Sequence, residues 1–205
     1  MSEDRLPETI AVYNSLGAKY ADQIAKANLP QLQEFIGMLI PGGRVLDVGC
    51  CAGRDSAILQ SAGFQVLGID ISPVFIELAK ERVSGAEFYV GDARNLDVGV
   101  DAFDGVWMHA MLLNLDREEI PGVLHNAWLA MKTGAVIGVG VKEGDGERFV
   151  GEALVENMKR RETYFRLEEL EGVFQKQGFM IIKSSISGDS LNRATTKWVY
   201  VFAKK

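Results

Sequence analysis

The chain of 205 residues predicts an α/β protein with a mostly parallel sheet and helices on both faces. Two observations carry this expectation. Short apolar, β-branched runs alternate with segments of helical period through the middle of the chain, the pattern of successive βαβ crossovers. In addition, Val45-Leu46-Asp47-Val48 runs directly into Gly49-Cys50-Cys51-Ala52-Gly53 and then into a helix-forming segment, so a buried strand meets a glycine turn at a helix N-terminus.

Glu8 to Ile24 places Ile10, Tyr13, Leu16, Tyr20 and Ile24 at spacings of three and four, which predicts an amphipathic helix. Pro30 opens a second helix with Leu32, Phe35, Ile36 and Leu39 inward, stopped at Pro41-Gly42. The first strand follows at 45–48, then a helix from Arg54 to Ala62 and a second strand ending at Asp70. Ser72 caps a third core element, with Pro73 at its first helical position and Val74, Leu78 and Val83 as its apolar side. Ala86–Val90 and Phe103–Met108 are the next strands, the latter followed by an irregular stretch from His109 to Leu115. Asp116 is expected to cap a helix bearing Ile120, Val123, Leu124, Ala127, Trp128 and Met131, with Trp128 in the core and His125 solvated. A fifth strand spans Ala135–Val141, and Lys142–Arg148 is a polar, glycine-bearing loop of the kind that carries binding residues. Arg166–Gln177 is a helix, Phe179–Ile186 and Thr196–Ala203 are closing strands, and 187–195 is a long connection.

The composition, 47% hydrophobic and 24% charged, fits one globular domain over 1–205, with cap helices in 1–40 and the α/β core in 43–205. A net charge of −6 argues against a nucleic-acid partner. Apolar stretches fall short of a membrane span, the acidic start Met1-Ser2-Glu3-Asp4 is no secretory signal, and a cytoplasmic setting is expected. The only cysteines, Cys50 and Cys51, are adjacent and cannot staple the fold, and no ligand spacing predicts a metal. The sequence leaves the oligomeric state open.

The glycine turn separates nucleotide-binding classes. Measured from Gly49, the second and third glycine positions of a dinucleotide fingerprint are Cys51 and Arg54, and no Lys-Ser/Thr follows Gly53. Asp47 and Asp70 would repel a pyrophosphate and welcome a ribose diol or a cationic amino-acid end, with Asp70 at the ribose-gripping distance along the chain.

On the residues Val45 to Gly53, Asp70, Gly91-Asp92-Ala93, Phe103-Asp104-Gly105-Val106-Trp107 and Leu129 to Ala135, the chain resembles the class I S-adenosylmethionine-dependent methyltransferases, in particular small bacterial members with a Lys142-Glu143-Gly144-Asp145-Gly146-Glu147 type loop. The resemblance implies a Rossmann-like, doubly wound, seven-stranded sheet whose last strand is antiparallel, with the N-terminal helices covering the cofactor site. It implies that Gly49, Cys50 and Gly53, with Asp47, border the amino-acid end of S-adenosylmethionine. Asp70 would take the ribose hydroxyls, Ile71 would lie on the adenine, and Asp92 with Ala93 would read its edge. Met108 and His109 would line the methyl side. By its own chemistry His109, with a pKa near neutrality, is either a general base or a hydrogen-bonded wall histidine. The family's usual glycine is Cys51 here. Asn114, Arg148, Tyr164 and Trp198 are candidates for the rim.

The acidic chain, and the absence of an Asn/Asp-Pro-Pro-Tyr signature after the fourth strand, favour methyl transfer to a small-molecule acceptor. Two alternatives stand beside it: a catalytically silent S-adenosylmethionine-binding regulator or scaffold, and a nicotinamide oxidoreductase.

Overall fold

A computed structural model describes residues 6–25, 27, 29–151, 159–191, 193 and 195–205. The acidic start at 1–5 and part of the 187–195 connection lie outside the described residues. The helices are α1 (Leu6–Ile24), α2 (Pro30–Met38), α3 (Arg54–Ser61), α4 (Pro73–Arg82), α5 (Ile120–Ala130) and α6 (Leu167–Lys176). The strands are β1 (Arg44–Val48), β2 (Gln65–Asp70), β3 (Glu87–Val90), β4 (Phe103–His109), β5 (Met131–Lys142), β6 (Glu147–Gly151), β7 (Lys159–Thr163), β8 (Met180–Gly188) and β9 (Lys197–Lys204).

Seven strands form one sheet in the order β3-β2-β1-β4-β5-β9-β8. The pairs β2–β3, β1–β2, β1–β4 and β4–β5 are parallel, and β9 runs antiparallel to both β5 and β8. This is the expected Rossmann-like sheet. The chain leaves β1 toward one side and later returns to its other side as β4, so the ends of β1 and β4 flank a cleft where loops diverge.

Strand alternation divides the core. Val45, Trp107 and Val136 share one face with Leu32 and Phe35 of α2 and Leu59 of α3. Leu46, Val106 and Ile137 face the other way, under Val123, Leu124 and Ala127 of α5 and Leu170 and Phe174 of α6. Both faces are dry, which is why these strands read as continuous apolar runs. Each such side chain contributes roughly 1.5–3 kcal/mol on burial.

Several expectations are corrected. The buried side of α4 is Phe75, Ile76 and Ala79, with Val83 at its end buried and Leu78 half-buried as expected, whereas Val74 is exposed. Helix α2 packs on the sheet and contributes no wall to the main cavity, so only α1 covers the site. Within α1 the most buried positions are Thr9, Val12, Leu16 and Ala21, and the helix is broken at Gly17 (φ 46°). Asp116 does not cap α5: its N–H donates to Glu119 Oε2 at 2.8 Å, and its carboxylate accepts from Arg161. Helix α5 ends at Ala130, and β5 begins at Met131. Trp128 is half-buried, edge-on to Phe179. The polar loop after β5 gives way to a separate two-stranded hairpin of β6 and β7.

Candidate active site

A cavity of about 360 Å³ opens where β1, β2 and β4 end. Its walls come from α1, the β1–α3 turn, the end of β2, the exit of β4 and the hairpin. Of the residues predicted from sequence, Asp47, Gly49, Cys50, Asp70, Ile71, Asp92, Ala93 and His109 line it. Gly53 and Met108 do not. Met108 points to the opposite face of the sheet and is fully buried in the core under α5, because Trp107 and His109 occupy the alternate side of β4; Met111 lines the cavity in its place. Gly53 sits at φ 81° one step behind the wall, where an added Cβ would meet Val83 Cγ2 at 2.8 Å.

The β1–α3 turn is tied down by its own backbone. The N–H groups of Gly49 and Cys50 donate to Ile69 O at 2.8 and 3.0 Å. Gly49 has φ 77°, and a Cβ there would lie 2.7 Å from Met111 Cβ, so both the conformation and the close approach require glycine. Cys51 also takes a left-handed conformation, φ 51°, although it carries a side chain. Its N–H donates to Asp70 Oδ2 at 2.9 Å, and the Ser72 N–H donates to Asp70 Oδ1 at 2.9 Å. Two backbone donors thus hold the Asp70 carboxylate at the cavity wall, each oxygen keeping acceptor capacity for a ligand. Burial raises its pKa.

Behind the turn lie two carboxylates. Asp47 is buried and accepts from Ser56 Oγ at 2.6 Å. Burial and then the charge of Asp55 push its pKa up to about 7. Asp55 accepts from the Arg54 guanidinium at 2.6 and 3.0 Å and from the Trp107 indole at 2.9 Å. Burial opposes its charge, but Arg54 outweighs that and lowers the pKa. Asp92 accepts from the Arg94 N–H at 2.9 Å and pairs with its guanidinium, which also reaches Glu119 at 2.8 Å.

At the exit of β4, His109 stacks on Trp198 at 4.8 Å, and its Nε2 lies 3.0 Å from the Tyr200 hydroxyl. Burial pushes its pKa down to about 4, so the near-neutral pKa expected of it is corrected. The hairpin closes the cavity beyond His109. Glu162, fully buried, accepts from Lys142 Nζ at 2.8 and 2.6 Å and from the Tyr164 hydroxyl at 2.9 Å, and pairs with Arg160 at 2.5 Å. Asn114 Oδ1 accepts from the Tyr13 hydroxyl at 3.1 Å and from Arg160 at 3.3 Å. Asn114 and Trp198 line the cavity as expected, while Arg148 and Tyr164 stand behind it, stacked on each other at 4.6 Å.

A family model described as a methyltransferase domain matches residues 45–134, from β1 through the start of β5. Over that stretch the chain matches the methyltransferase domain. An uncharacterized methyltransferase of Synechocystis is 29% identical over 96 residues, covering 47% of this chain and 45% of the relative. The demethylmenaquinone methyltransferase of Renibacterium salmoninarum is 27% identical over 123 residues, covering 57% of this chain and 52% of the relative. The aligned stretch therefore spans about half the length of these curated relatives. The crystal structure of Burkholderia thailandensis 1,6-didemethyltoxoflavin-N1-methyltransferase with bound 1,6-didemethyltoxoflavin and S-adenosylhomocysteine superposes with TM-score 0.76 at 19% identity, covering 98% of this chain and 88% of that one.

The turn fits S-adenosylmethionine on this chain's own geometry: the Gly49 backbone forms the cavity wall, and the Asp70 carboxylate is clamped beside it facing the cavity. Among the described residues no group of three or more His, Cys, Asp or Glu is placed to hold a metal, and no helix is long and apolar enough to cross a membrane. Sequence reasoning missed Asp55, Tyr200, Arg160 and Glu162. For the last two a signal existed, since Arg160 and Glu162 are two apart and a strand puts them on one face.

Proposed function

We propose that this chain transfers a methyl group from S-adenosylmethionine to a small-molecule acceptor. The observation that carries the reading is the Asp70 carboxylate, clamped by two backbone N–H groups beside the glycine turn and facing a cavity that continues past His109. When bound, S-adenosylmethionine supplies an electrophilic methyl on a sulfonium, and the electron pair of the broken carbon–sulfur bond stays on sulfur. In this reading Asp70 accepts from the ribose hydroxyls, Ile71, Asp92 and Ala93 border the adenine, and Asp47, Gly49 and Cys50 border the amino-acid end. The chain's main contribution is then alignment, which can supply ~7–11 kcal/mol by fixing acceptor and donor in line.

His109 is a poor general base with its pKa about 4. Its ring instead accepts or donates a hydrogen bond opposite Tyr200 and shapes the wall on the acceptor side. The space beyond it, bounded by Trp198, Lys142, Arg160 and Glu162, supports an enzyme over a silent binding module, which has no use for a second chamber. The acceptors named for two relatives, demethylmenaquinone and 1,6-didemethyltoxoflavin, are small molecules. A cytosolic setting suits the free thiols Cys50 and Cys51.

Calorimetric titration with S-adenosylhomocysteine, with NAD as control, tests the reading. The expected result is binding of the former alone, weakened by two charge-assisted bonds, about 3–6 kcal/mol, in Asp70→Ala. The variant also strips the Cys51 and Ser72 N–H groups of their acceptor, so its stability should fall by about 1–3 kcal/mol. Unchanged affinity in Asp70→Ala, or binding of NAD in place of S-adenosylhomocysteine, would refute the assignment.

A further inference from the structure

The chain carries two histidines. His125 is exposed on α5, whereas His109 is half-buried and lines the cavity. Both faces and two edges of the His109 ring are covered. In the sheet register Trp107 stands level with Gly138, His109 with Gly140 and Tyr200, and Trp198 with Lys142, so the imidazole lies between the two indoles along the strands. The ring planes agree: Trp107 stacks on the imidazole at 6.1 Å and 6°, Trp198 at 4.8 Å and 20°. Of the edges, Cδ2 faces the sheet, where a Cβ on Gly140 would lie 2.8 Å away, and Nε2 meets the Tyr200 hydroxyl at 3.0 Å. The edge left to face the cavity is the one that carries Nδ1 and Cε1.

The Tyr200 hydroxyl decides which ring nitrogen holds the hydrogen. Tyr200 is 2% exposed, and among the described residues the hydrogen-bond partner of its hydroxyl is His109 Nε2. If Nε2 carried the hydrogen, the phenolic O–H would be buried with no acceptor, a costly orphan donor. With the phenol as donor both atoms are satisfied, and the imidazole hydrogen sits on Nδ1. Burial pushes the ring's pKa down to about 4, so at neutral pH it carries that single hydrogen. An Nδ1–H group at the cavity wall donates a hydrogen bond and cannot accept one.

We propose that Tyr200 fixes His109 as its Nδ1–H tautomer and that this N–H selects the acceptor: a molecule offering an oxygen lone pair, as a carbonyl or phenolate does, is held there, and one presenting an N–H or ammonium is rejected. This rests on the methyltransferase reading for calling the ligand an acceptor, whereas the tautomer itself does not depend on it. Tyr200 is a positioning residue that acts through His109. His109 takes no proton in the transfer, so the attacking atom of the acceptor arrives with its lone pair free.

The test uses the full chain with S-adenosylhomocysteine in excess, isotopically labelled at the histidine ring nitrogens and measured by nuclear magnetic resonance at neutral pH. His109 should show a protonated Nδ1 and a bare Nε2, with the exposed His125 as the reference for an unconstrained ring. Tyr200→Phe removes the phenolic donor and leaves Nε2 unsatisfied in either tautomer, so the ring should become a mixture. Two probes of one shape, acetophenone and α-methylstyrene, differ by a carbonyl oxygen against a methylene. Acetophenone should shift the Nδ1–H resonance, and the ratio of its affinity to that of α-methylstyrene should fall about 2–10-fold in His109→Phe. A fold lesion would weaken both probes and S-adenosylhomocysteine together and leave that ratio in place. If His109→Phe does not fold, its combination with Tyr200→Phe replaces both polar partners by rings and carries the same comparison. A protonated Nε2 in the unsubstituted protein, an unchanged tautomer in Tyr200→Phe, or an unchanged probe ratio would overturn the proposal. Should S-adenosylhomocysteine fail to bind while Nδ1 is protonated and acetophenone shifts it, the methyltransferase reading falls and the donor stands.

Discussion

At the scale of single residues, Cys51 carries a conformation its chemistry does not favour. Its φ of 51° is left-handed, which costs an L side chain roughly 1–2 kcal/mol, and a glycine would adopt it freely. The position is held because its N–H donates to Asp70 Oδ2 at 2.9 Å. Cys51→Gly should therefore stabilise the fold by about 1 kcal/mol in denaturant unfolding and leave affinity for S-adenosylhomocysteine equal or higher; destabilisation would show that the thiol packs for more than its backbone costs. A second residue pair governs the acid response. Asp47 has its pKa raised to about 7, so the folded state holds a proton that the unfolded chain has released, and this contribution grows as pH falls from about 7 toward 4. His109, lowered to about 4, works the other way: the unfolded chain binds the proton first, and stability is lost as pH falls from about 6.5 toward 4. Between these limits the two oppose each other. Asp47→Asn should unmask His109, its stability relative to the unsubstituted protein falling by roughly 3 kcal/mol between pH 6.5 and 4 in denaturant titrations. A parallel pH dependence in the two proteins would show that Asp47 is ionised throughout.

At the scale of elements, the sheet was legible because its strands are buried on both faces and so appear as unbroken apolar runs between glycine and proline. Val45-Leu46, Val66-Leu67 and Val139-Gly140-Val141 are each buried, and nothing polar interrupts them. The cofactor end of the site was legible for a related reason: turn chemistry is local, and Gly49 and Asp70 sit at fixed places relative to two strand ends. The hairpin was not legible. Its β6 and β7 are polar, with Phe149 exposed, so alternation there marks an ion-pair network and not a hydrophobic face. Met108 was misplaced by one residue for an equally physical reason, since at a strand's exit a shift of one exchanges the core face for the cavity face. Strand β5 makes a prediction about that cavity face. A Cβ on Gly140 would lie 2.6 Å from Tyr200 Cε1 and 2.8 Å from His109 Cδ2, the two rings that meet at 3.0 Å. Gly140→Ala should cost about 1–3 kcal/mol by overpacking, whereas Gly122→Ala in α5, with nothing within 4 Å, should gain up to about 1 kcal/mol. Equal melting temperatures for the two variants would mean that the His109 and Tyr200 rings give way without cost.

At the scale of the whole molecule, the site is closed by a part of the chain that the sheet does not need. The core on both faces is assembled from residue 29 onward, while α1 lies across the cavity mouth. Among its attachments, the Ser72 hydroxyl donates to Asn14 at 2.6 Å, Arg54 donates to Ile24 O at 3.2 Å, Tyr13 and Tyr20 pack on Phe75 at 5.8 and 6.0 Å, and Tyr13 also donates to Asn114 and lies under Arg160 at 5.5 Å. One helix therefore touches α4, the exit of β4 and the hairpin, and so spans both ends of the cavity. Removing residues 1–28 should leave a cooperative unfolding transition, because the sheet keeps both of its layers, but should lower affinity for S-adenosylhomocysteine at least about tenfold by removing the wall that Thr9, Tyr13, Tyr20 and Ile24 provide. The consequence is readable as a loss of linkage: a hundredfold excess of ligand over its dissociation constant stabilises the full chain by about 2.7 kcal/mol, and the same concentration should stabilise the truncated one by about 1.4 kcal/mol or less. If the shortened chain binds as well as the full one, α1 is packing for the fold alone, and closure of the site belongs to the β6–β7 hairpin.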